Sequence, residues 1–437
     1  MLRLVGRLRP YAWGSRTEIA RLQGRPPSGQ PEAELWWGAH PDDPSLVAPR
    51  RHQGGAWAGL GPADASPDPE PDHGGASPRA DQDRPQRSLL DEIESDPVGM
   101  LGAEVSQRHG PRLPFLLKLL AAESPLSLQA HPDAEQAQAG FDAEEAAGVP
   151  RDAPWRNYVD RSHKPELLVA VSEFRGLCGF REVAVSLQAL QRLDAPALSQ
   201  VVACLRQPDP GRALQDAFTS LLNMSDRESK ELLEQVAPEC RRLADAAGYA
   251  ADGGADYAAG AEYALVAELA ERYPDDVGVV CALLLNQVWL RPGEAIFMPP
   301  GNVHAYLRGV GVEVMAASDN VLRAGLTPKH VDVPELLRVV CFEEAEPRIT
   351  ARPAAPGVCW WPTPTEDFRL TRAEVDGVTP LPGQGPRIVL CLTGRVRADD
   401  GHGGIDLGPG EAGFAAAGAA PVTLAGAGEV YQVGVGG

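Results

Sequence analysis

The stretch LSLQAHPD, residues 126–133, sets a serine, a glutamine and a histidine at every second position. Read as a strand, it turns Ser127, Gln129 and His131 to one face and Leu126, Leu128 and Ala130 to the other. The second face is ordinary core. The first is a row of oxygen and nitrogen donors one strand-step apart, suited to a metal ion or a polar substrate. A divalent ion wants a compensating negative charge, and DRSHKPELLVAV offers one. There Glu166 heads an apolar strand where a free carboxylate would be costly to bury. Lys164 shares the face of Glu166, whereas His163 turns the other way and reads as structural.

A second histidine lies far along the chain in GEAIFMPPGNVH. Its spacing of Gly293, Pro299, Gly301 and His304 resembles the second motif of the cupin family of small β-barrels, in which a tight turn feeds a strand and points the histidine into the barrel mouth. Arg308 stands where that motif usually ends in Asn. Cupins usually supply further ligands from an H-x-H pair; here the pair is Gln129-x-His131, with an amide oxygen in place of one imidazole. Gln129, His131, Glu166 and His304 then make two nitrogen and two oxygen ligands, a mix zinc accepts with positions left for water or substrate. Iron and manganese also suit the ligand types.

The elements that must position these residues follow from pattern. LPFLLKLLAAESPLSLQAHPD and KPELLVAVSEFRGLCGF are dense apolar strand runs, the first interrupted by Lys118. VGVVCALLLNQVWLRPGEAIFMPPGNVHAYL joins apolar runs through Pro-Gly turns, an antiparallel β signature. Between them, from about 182 to 275, the period becomes helical. Ser225-x-x-Glu228 forms a capping box ahead of Leu232, Leu233, Val236, Cys240 and Leu243, and AEYALVAELAERYP is a helix stopped by Pro274. Ser88 reads as an N-cap, and Asp332 and Glu335 cap a helix in VDVPELLRVV. PGEAIFMPPG at 292–301 and PGEAGFAAAG at 409–418 echo each other, implying two related barrels. In the second, Pro421 stands at the offset of His304, so one barrel carries the chemistry and the other serves packing.

These patterns give a mainly β fold with an all-α insertion: two cupin-like, jelly-roll β-barrels plus a helical domain. A catalytic cupin-like domain takes 1–181 and 276–340, with 49–87 as a flexible insertion that includes the discounted His52 and His73. A helical domain takes 182–275, and a degenerate cupin-like domain takes 341–437. At roughly 150 residues per domain, 437 residues suit three units.

The net charge of −20, spread along the chain, argues against nucleic acid and anionic membranes as general partners. No apolar run approaches the roughly 20 residues of a membrane span, and the N-terminus shows no secretion signal. The seven scattered cysteines read as reduced, mostly buried thiols, which points to the cytoplasm.

With YAWGS, ELWWGAHP, LPFLLKLL, PLSLQAHPD, HKPELL, GEAIFMPPGNVHAYL and SDNVLRAGLTPKH in order, the chain resembles the zinc-dependent type I phosphomannose isomerase family. The resemblance implies one zinc per chain on Gln129, His131, Glu166 and His304, a catalytic arginine at Arg323, and a monomer. The implied reaction interconverts mannose 6-phosphate and fructose 6-phosphate through a cis-enediol. Its barrier is carbanion-like charge, so cations on the oxygens matter most. Candidate acid/base groups are Glu313, a carboxylate among valines, Lys164 and Tyr306; Ser127 and Lys118 are candidate phosphate or hydroxyl contacts. One alternative is a cupin that binds sugar phosphates without turning them over. Another is an iron-dependent oxygenase, which a glutamine ligand fits poorly.

Overall fold

Every side chain of the strand Phe115–Ala122 is buried. Phe115, Leu117, Leu119 and Ala121 enter one apolar cluster and Leu120 and Ala122 another, so the strand is a wall between two cores. The structure, a computed structural model, describes residues 1–49, 87–248 and 260–436. The expected flexible insertion, with His52 and His73, lies almost wholly outside the described residues.

The wall belongs to an 11-stranded sheet. Its main path runs Arg348–Ile349, Ala295–Met298, Glu166–Ala170, His304–Ala316, Phe115–Ala122, Glu34–Trp37 and Arg7–Arg9. Leu128–Ala130, Leu322–Gly325, Phe174–Phe180 and Leu285–Leu290 branch from this path. Leu120, Leu168, Phe174, Val288, Ile296 and Tyr306 meet in one core, so both sets of strands enclose it. His304–Ala316 is the spine. Its later residues pair with Phe115–Ala122 and Glu166–Ala170, while His304 pairs with Gln129 and Cys178. The register shifts between Tyr306 and Arg308. Gly309 follows at φ +124°, where a Cβ would lie 2.5 Å from the Glu173 carbonyl oxygen. That bend lets one strand serve both halves.

A nine-stranded sheet follows the order Arg352–Ala355, Val358–Trp360, Arg369–Pro380, Thr423–Gly434, Arg387–Asp399, Glu411–Ala415, Leu2–Val5 and Leu46–Val47, with Gly404–Leu407 beside Arg387–Asp399. Strand pairing therefore crosses the expected boundary at 341. Residues 2–5 and 46–47 join the second sheet, and 348–349 join the first. Leu2–Leu4 pair along Glu411–Ala415, which covers an edge and buries Leu4 between the sheets. Leu117, Leu167, Val312 and Val314 of the first sheet pack there against Leu370, Ile388, Leu390 and Phe414 of the second.

The echoed PGEA is a shared turn. Gly293 and Gly410 take φ +88° and +71°. Glu294 accepts from the Arg291 amide and Glu411 from the Gly408 amide, both at 2.8 Å. Each turn then launches a strand, Ala295–Met298 or Glu411–Ala415.

The insertion is helical, with Pro210–Leu222, Asp226–Ala246 and Ala261–Arg272 as its longest described helices. Ser225 and Glu228 form the capping box, Ser88 caps Leu89–Ser95, and Asp332 caps Val333–Val339. Leu214, Phe218, Leu233 and Val266 share one core with Leu128, Ala130, Leu322 and Ala324 of the sheet. The helices thereby brace the short strands that carry Gln129 and Arg323. No helix among the described residues is long and apolar enough to cross a membrane.

Candidate metal centre and active site

Strand alternation brings the chemistry inside. Leu167 and Val169 face the inter-sheet core, so Glu166 faces the barrel with Leu168 and Ala170. Val312 and Val314 face the inter-sheet core likewise, and Glu313 turns inward opposite Lys118. Gln129 pairs with His304 on one side and Arg323 on the other, which sets those three in one row. Isolated two-residue patterns could not show these rows, because register is a property of the folded pair.

Four predicted ligands surround one point. His131 Nε2 lies 3.6 Å from Glu166 Oε1, and His304 Nε2 lies 3.3 Å from Glu166 Oε2. Gln129 Nε2 is 3.4 Å from His304 Nε2, and a half-turn of the amide presents its oxygen instead. Both imidazoles are oriented from behind. His131 Nδ1–H donates to the Asn320 carbonyl at 2.7 Å and His304 Nδ1–H to the Asn302 carbonyl at 3.1 Å, which leaves each Nε2 lone pair toward the centre. Asn320 is held in turn, donating to the Asp160 and Ser162 carbonyls and accepting from the Val159 amide.

His131 Nε2 is buried without a hydrogen-bond partner among the described residues. Burial, then the Lys164 charge, depresses the His131 pKa to about 4, so the imidazole is neutral near neutral pH. Burial pushes the Glu166 carboxyl up, but Lys164 and the imidazoles outweigh it and hold the group well below the usual carboxylate range. An orphaned lone pair, a second imidazole and a buried carboxylate form a donor set that fits zinc.

A cavity of about 700 Å³ opens beside this point, lined by Ser127, Gln129, Lys164, Glu166, Tyr306, Glu313, Lys118 and Arg323 among others. Its polar groups form three paired systems, centred on Glu166, Glu313 and Asp319, and one unpaired one. Lys164 Nζ lies 3.2 Å from Glu166 Oε1. Glu313 accepts from the Tyr306 hydroxyl at 2.7 Å and pairs with Lys118 Nζ at 2.9 Å. Glu34, which accepts from Trp36 Nε1, stands 3.9 Å from that ammonium. Burial raises the Glu313 pKa, Lys118 pulls it down, and Glu166 and Glu34 push it up again, leaving it above its ordinary value. Burial disfavours the Lys118 charge, but Glu313, Glu34 and Glu166 outweigh it and keep Lys118 an ammonium. Lys118 thus holds Glu313 as well as lining the cavity. The Arg323 and Lys329 side chains have no hydrogen bond or ion pair with any described residue, while the Lys329 amide donates to Thr327 Oγ1 at 3.1 Å. Burial, joined at Lys329 by the Arg323 charge, lowers the pKa of both.

The sequence reading missed several groups. Lys329, in LTPKH, belongs to no ligand or acid/base pattern that sequence alone marks. Asp319 lines the cavity and accepts from His40 Nε2 at 2.8 Å, while His40 Nδ1 accepts from the Asp42 amide. The Arg323 loop is itself strained, since Leu326 at φ +55° is the one non-glycine residue with positive φ among the described residues. Asp276 braces it through the Gly278 and Thr327 amides, at 2.8 and 3.1 Å. His163 lies outside the site and pairs with Asp367 at 2.7 Å.

Comparison with known proteins gives the family and the fold. Family models for the catalytic domain and the helical insertion domain of type I phosphomannose isomerase match residues 69–183 and 190–285. The chain is 38% identical to mannose-6-phosphate isomerase of Escherichia coli strain K12, over 99% of each chain. It superposes on the apo crystal structure of mannose 6-phosphate isomerase from Salmonella typhimurium with TM-score 0.82 and 34% identity, covering 100% of this chain and 99% of that one. A zinc-bound holo crystal structure of mannose 6-phosphate isomerase gives TM-score 0.80 at 34% identity, with the same coverage.

Proposed function

Because this chain belongs to the type I phosphomannose isomerase family, it interconverts mannose 6-phosphate and fructose 6-phosphate, and we propose that it does so in the 700 Å³ cavity beside Glu166 and Glu313. Gln129, His131, Glu166 and His304 hold one zinc per chain. Zinc, when bound, supplies a Lewis acid beside the carbonyl end of the sugar. Glu313 removes the proton next to the carbonyl and returns it to the adjacent carbon, passing through a cis-enediol. Its raised pKa suits that exchange, and Tyr306 and Lys118 fix its carboxylate. Lys164 donates to the sugar oxygen on which charge develops. Arg323 and Lys329, the cations of this cavity left without acidic partners among the described residues, receive the phosphate, with Ser127 on the same lining.

The observation that carries this reading is the convergence of two imidazole Nε2 atoms on Glu166 in the cavity that also holds the Glu313–Lys118 pair. Coupled assay of mannose 6-phosphate conversion, on protein stripped of metal and then restored with zinc, tests it. Turnover vanishes and returns. Arg323→Ala lowers kcat/KM by about 10²–10³-fold with zinc content unchanged. Metal-loaded protein that binds the sugar phosphate without turnover would overturn the reading in favour of a binding protein, which the isomerase relatives do not support. The chain acts in the cytoplasm, a reading supported by seven free thiols, and the family resemblance leans to a monomer. Its catalytic unit is 1–181 with 276–340, carrying the helical unit 182–275; 341–437 follows, taking strands 2–5 and 46–47 into its sheet and lending 348–349 to the first.

A further inference from the structure

We propose that the C-terminal sheet carries a second binding site, for a small oxyanion that also bears a hydroxyl, anchored on Arg387. A cavity of about 270 Å³ opens on the sheet face formed by Arg369–Pro380, Thr423–Gly434 and Arg387–Asp399. Register builds its floor. Arg369, Gly434 and Arg387 stand in one cross-strand row, and Trp360, Thr371 and Gln432 in the next. Paired residues share a face, and all six line the cavity. Gly434 is a gap between two arginines, so the row is open where a side chain would otherwise stand. The volume lies just below the range of drug-sized sites, about 300–1,000 Å³, so the occupant is small.

The charges point to an anion. Arg387 is 1% exposed, yet Nη1 and Nη2 donate only to the carbonyls of Gly383, Ala419 and Ala420. Nε has no partner, and neither has Oε1 of the buried Gln432, whose Nε2 donates to the Pro382 carbonyl. Asp400 acts on the guanidinium through space, without a hydrogen bond to it. Among the described residues no Asp or Glu lines the cavity, in a chain with 60 acidic residues against 40 Lys and Arg. A buried guanidinium bonded only to neutral acceptors is poorly compensated. An oxyanion seated on this floor supplies the missing charge, and a small shift of the Arg387 and Gln432 side chains, whose Nε and Oε1 lie closed beneath it, adds an acceptor for Nε–H and a hydroxyl donor for Gln432 Oε1. Hydrogen phosphate and small hydroxycarboxylates share this chemistry.

Gly434→Asp tests the site, because it sets a carboxylate between the arginines. An ideal Cβ at 434 meets nothing nearer than Arg387 Cγ at 3.4 Å, so the strand accommodates it. In crystals of the zinc-loaded full chain soaked with arsenate, which like phosphate keeps a hydroxyl near neutral pH, anomalous scattering shows arsenic beside Arg387. The peak is lost in Gly434→Asp, while any arsenate in the catalytic cavity stays. Calorimetry with inorganic phosphate and, separately, glycolate, in an Arg323→Ala background, shows binding weakened about tenfold or more by Gly434→Asp, and the tighter of the two probes identifies the oxyanion. Arsenic absent from Arg387 in the wild type, or binding unchanged by Gly434→Asp, overturns the proposal. The wild-type soak decides alone if the variant does not fold.

Discussion

Gln129 and Glu313 show how much one side chain can decide. Gln129 stands between His304 and Arg323 in register and offers the centre a neutral oxygen. Gln129→Leu keeps the apolar packing of its strand and removes that donor. Zinc affinity falls roughly tenfold or more, read by metal content after dialysis against a weak chelator. Glu313 is held by Lys118 at 2.9 Å and Tyr306 at 2.7 Å, and its pKa stays above the ordinary value because burial leads. As the proposed base, Glu313 must be ionised to act, so kcat/KM rises with pH through that raised pKa. Glu313→Gln abolishes this acidic limb and lowers kcat by about 10²–10⁴-fold. It also leaves Lys118 buried without its nearest counter-charge, which costs about 3 kcal/mol, the lower end for breaking a buried pair since Glu34 remains at 3.9 Å. A structural role alone would show the stability loss without the altered pH–rate profile.

At the scale of elements, the decisive piece is the loop that follows Arg323. Gly325 sits at φ +138° with room for no Cβ, since one would fall 2.6 Å from Asp276 Oδ1 and 2.9 Å from Gly278 Cα. Leu326 follows at φ +55°, a conformation costing about 1–2 kcal/mol in an L-residue. Its side chain is 2% exposed in the helical core, and that burial exceeds the strain. Leu326→Gly therefore destabilises the protein despite relieving the backbone, because losing a buried leucine costs about 2–5 kcal/mol. Asp276 closes the loop from the helical side. Asp276→Ala strands the Gly278 and Thr327 amides, costing about 1–3 kcal/mol by chemical denaturation. Its KM for the sugar phosphate rises while zinc content holds, since Arg323 and Lys329 flank the displaced backbone.

Across the whole molecule, His163 ties the strand that bears Glu166 to the C-terminal segment through Asp367. The hydrogen bond to Asp367 raises the His163 pKa above 6.5, against burial, while Asp367 is held below its ordinary value and stays ionised near neutral pH. A raised folded-state pKa contributes stability fully present below 6.5 and lost as pH rises through the folded value. His163→Gln thus lowers Tm most at about pH 5.5–6 and least at about pH 9, read from paired melting curves. The opposite trend would mean that the contact does not hold the units together.

Sequence alone determined the kind of fold and marked the candidate donors. Period-2 alternation made Gln129 and His131 neighbours on one face, the Pro-Pro-Gly turn aimed His304, and helical spacing with Ser225–Glu228 marked the insertion. These are local facts, fixed by backbone geometry within a few residues. Tertiary structure decided every partnership that depends on register or on distant chain crossing. Lys118 opposite Glu313, Arg323 beside Gln129, His40 behind Asp319, Asp276 under the Arg323 loop and Arg387 across from Gly434 are such cases. The same holds for Leu2–Val5, whose alternation fits either sheet and whose place beside Glu411–Ala415 follows from an edge that needed cover. A strand's own sequence says which side chains share a face. Which strand lies beside it is settled by burial and hydrogen bonding over the whole chain.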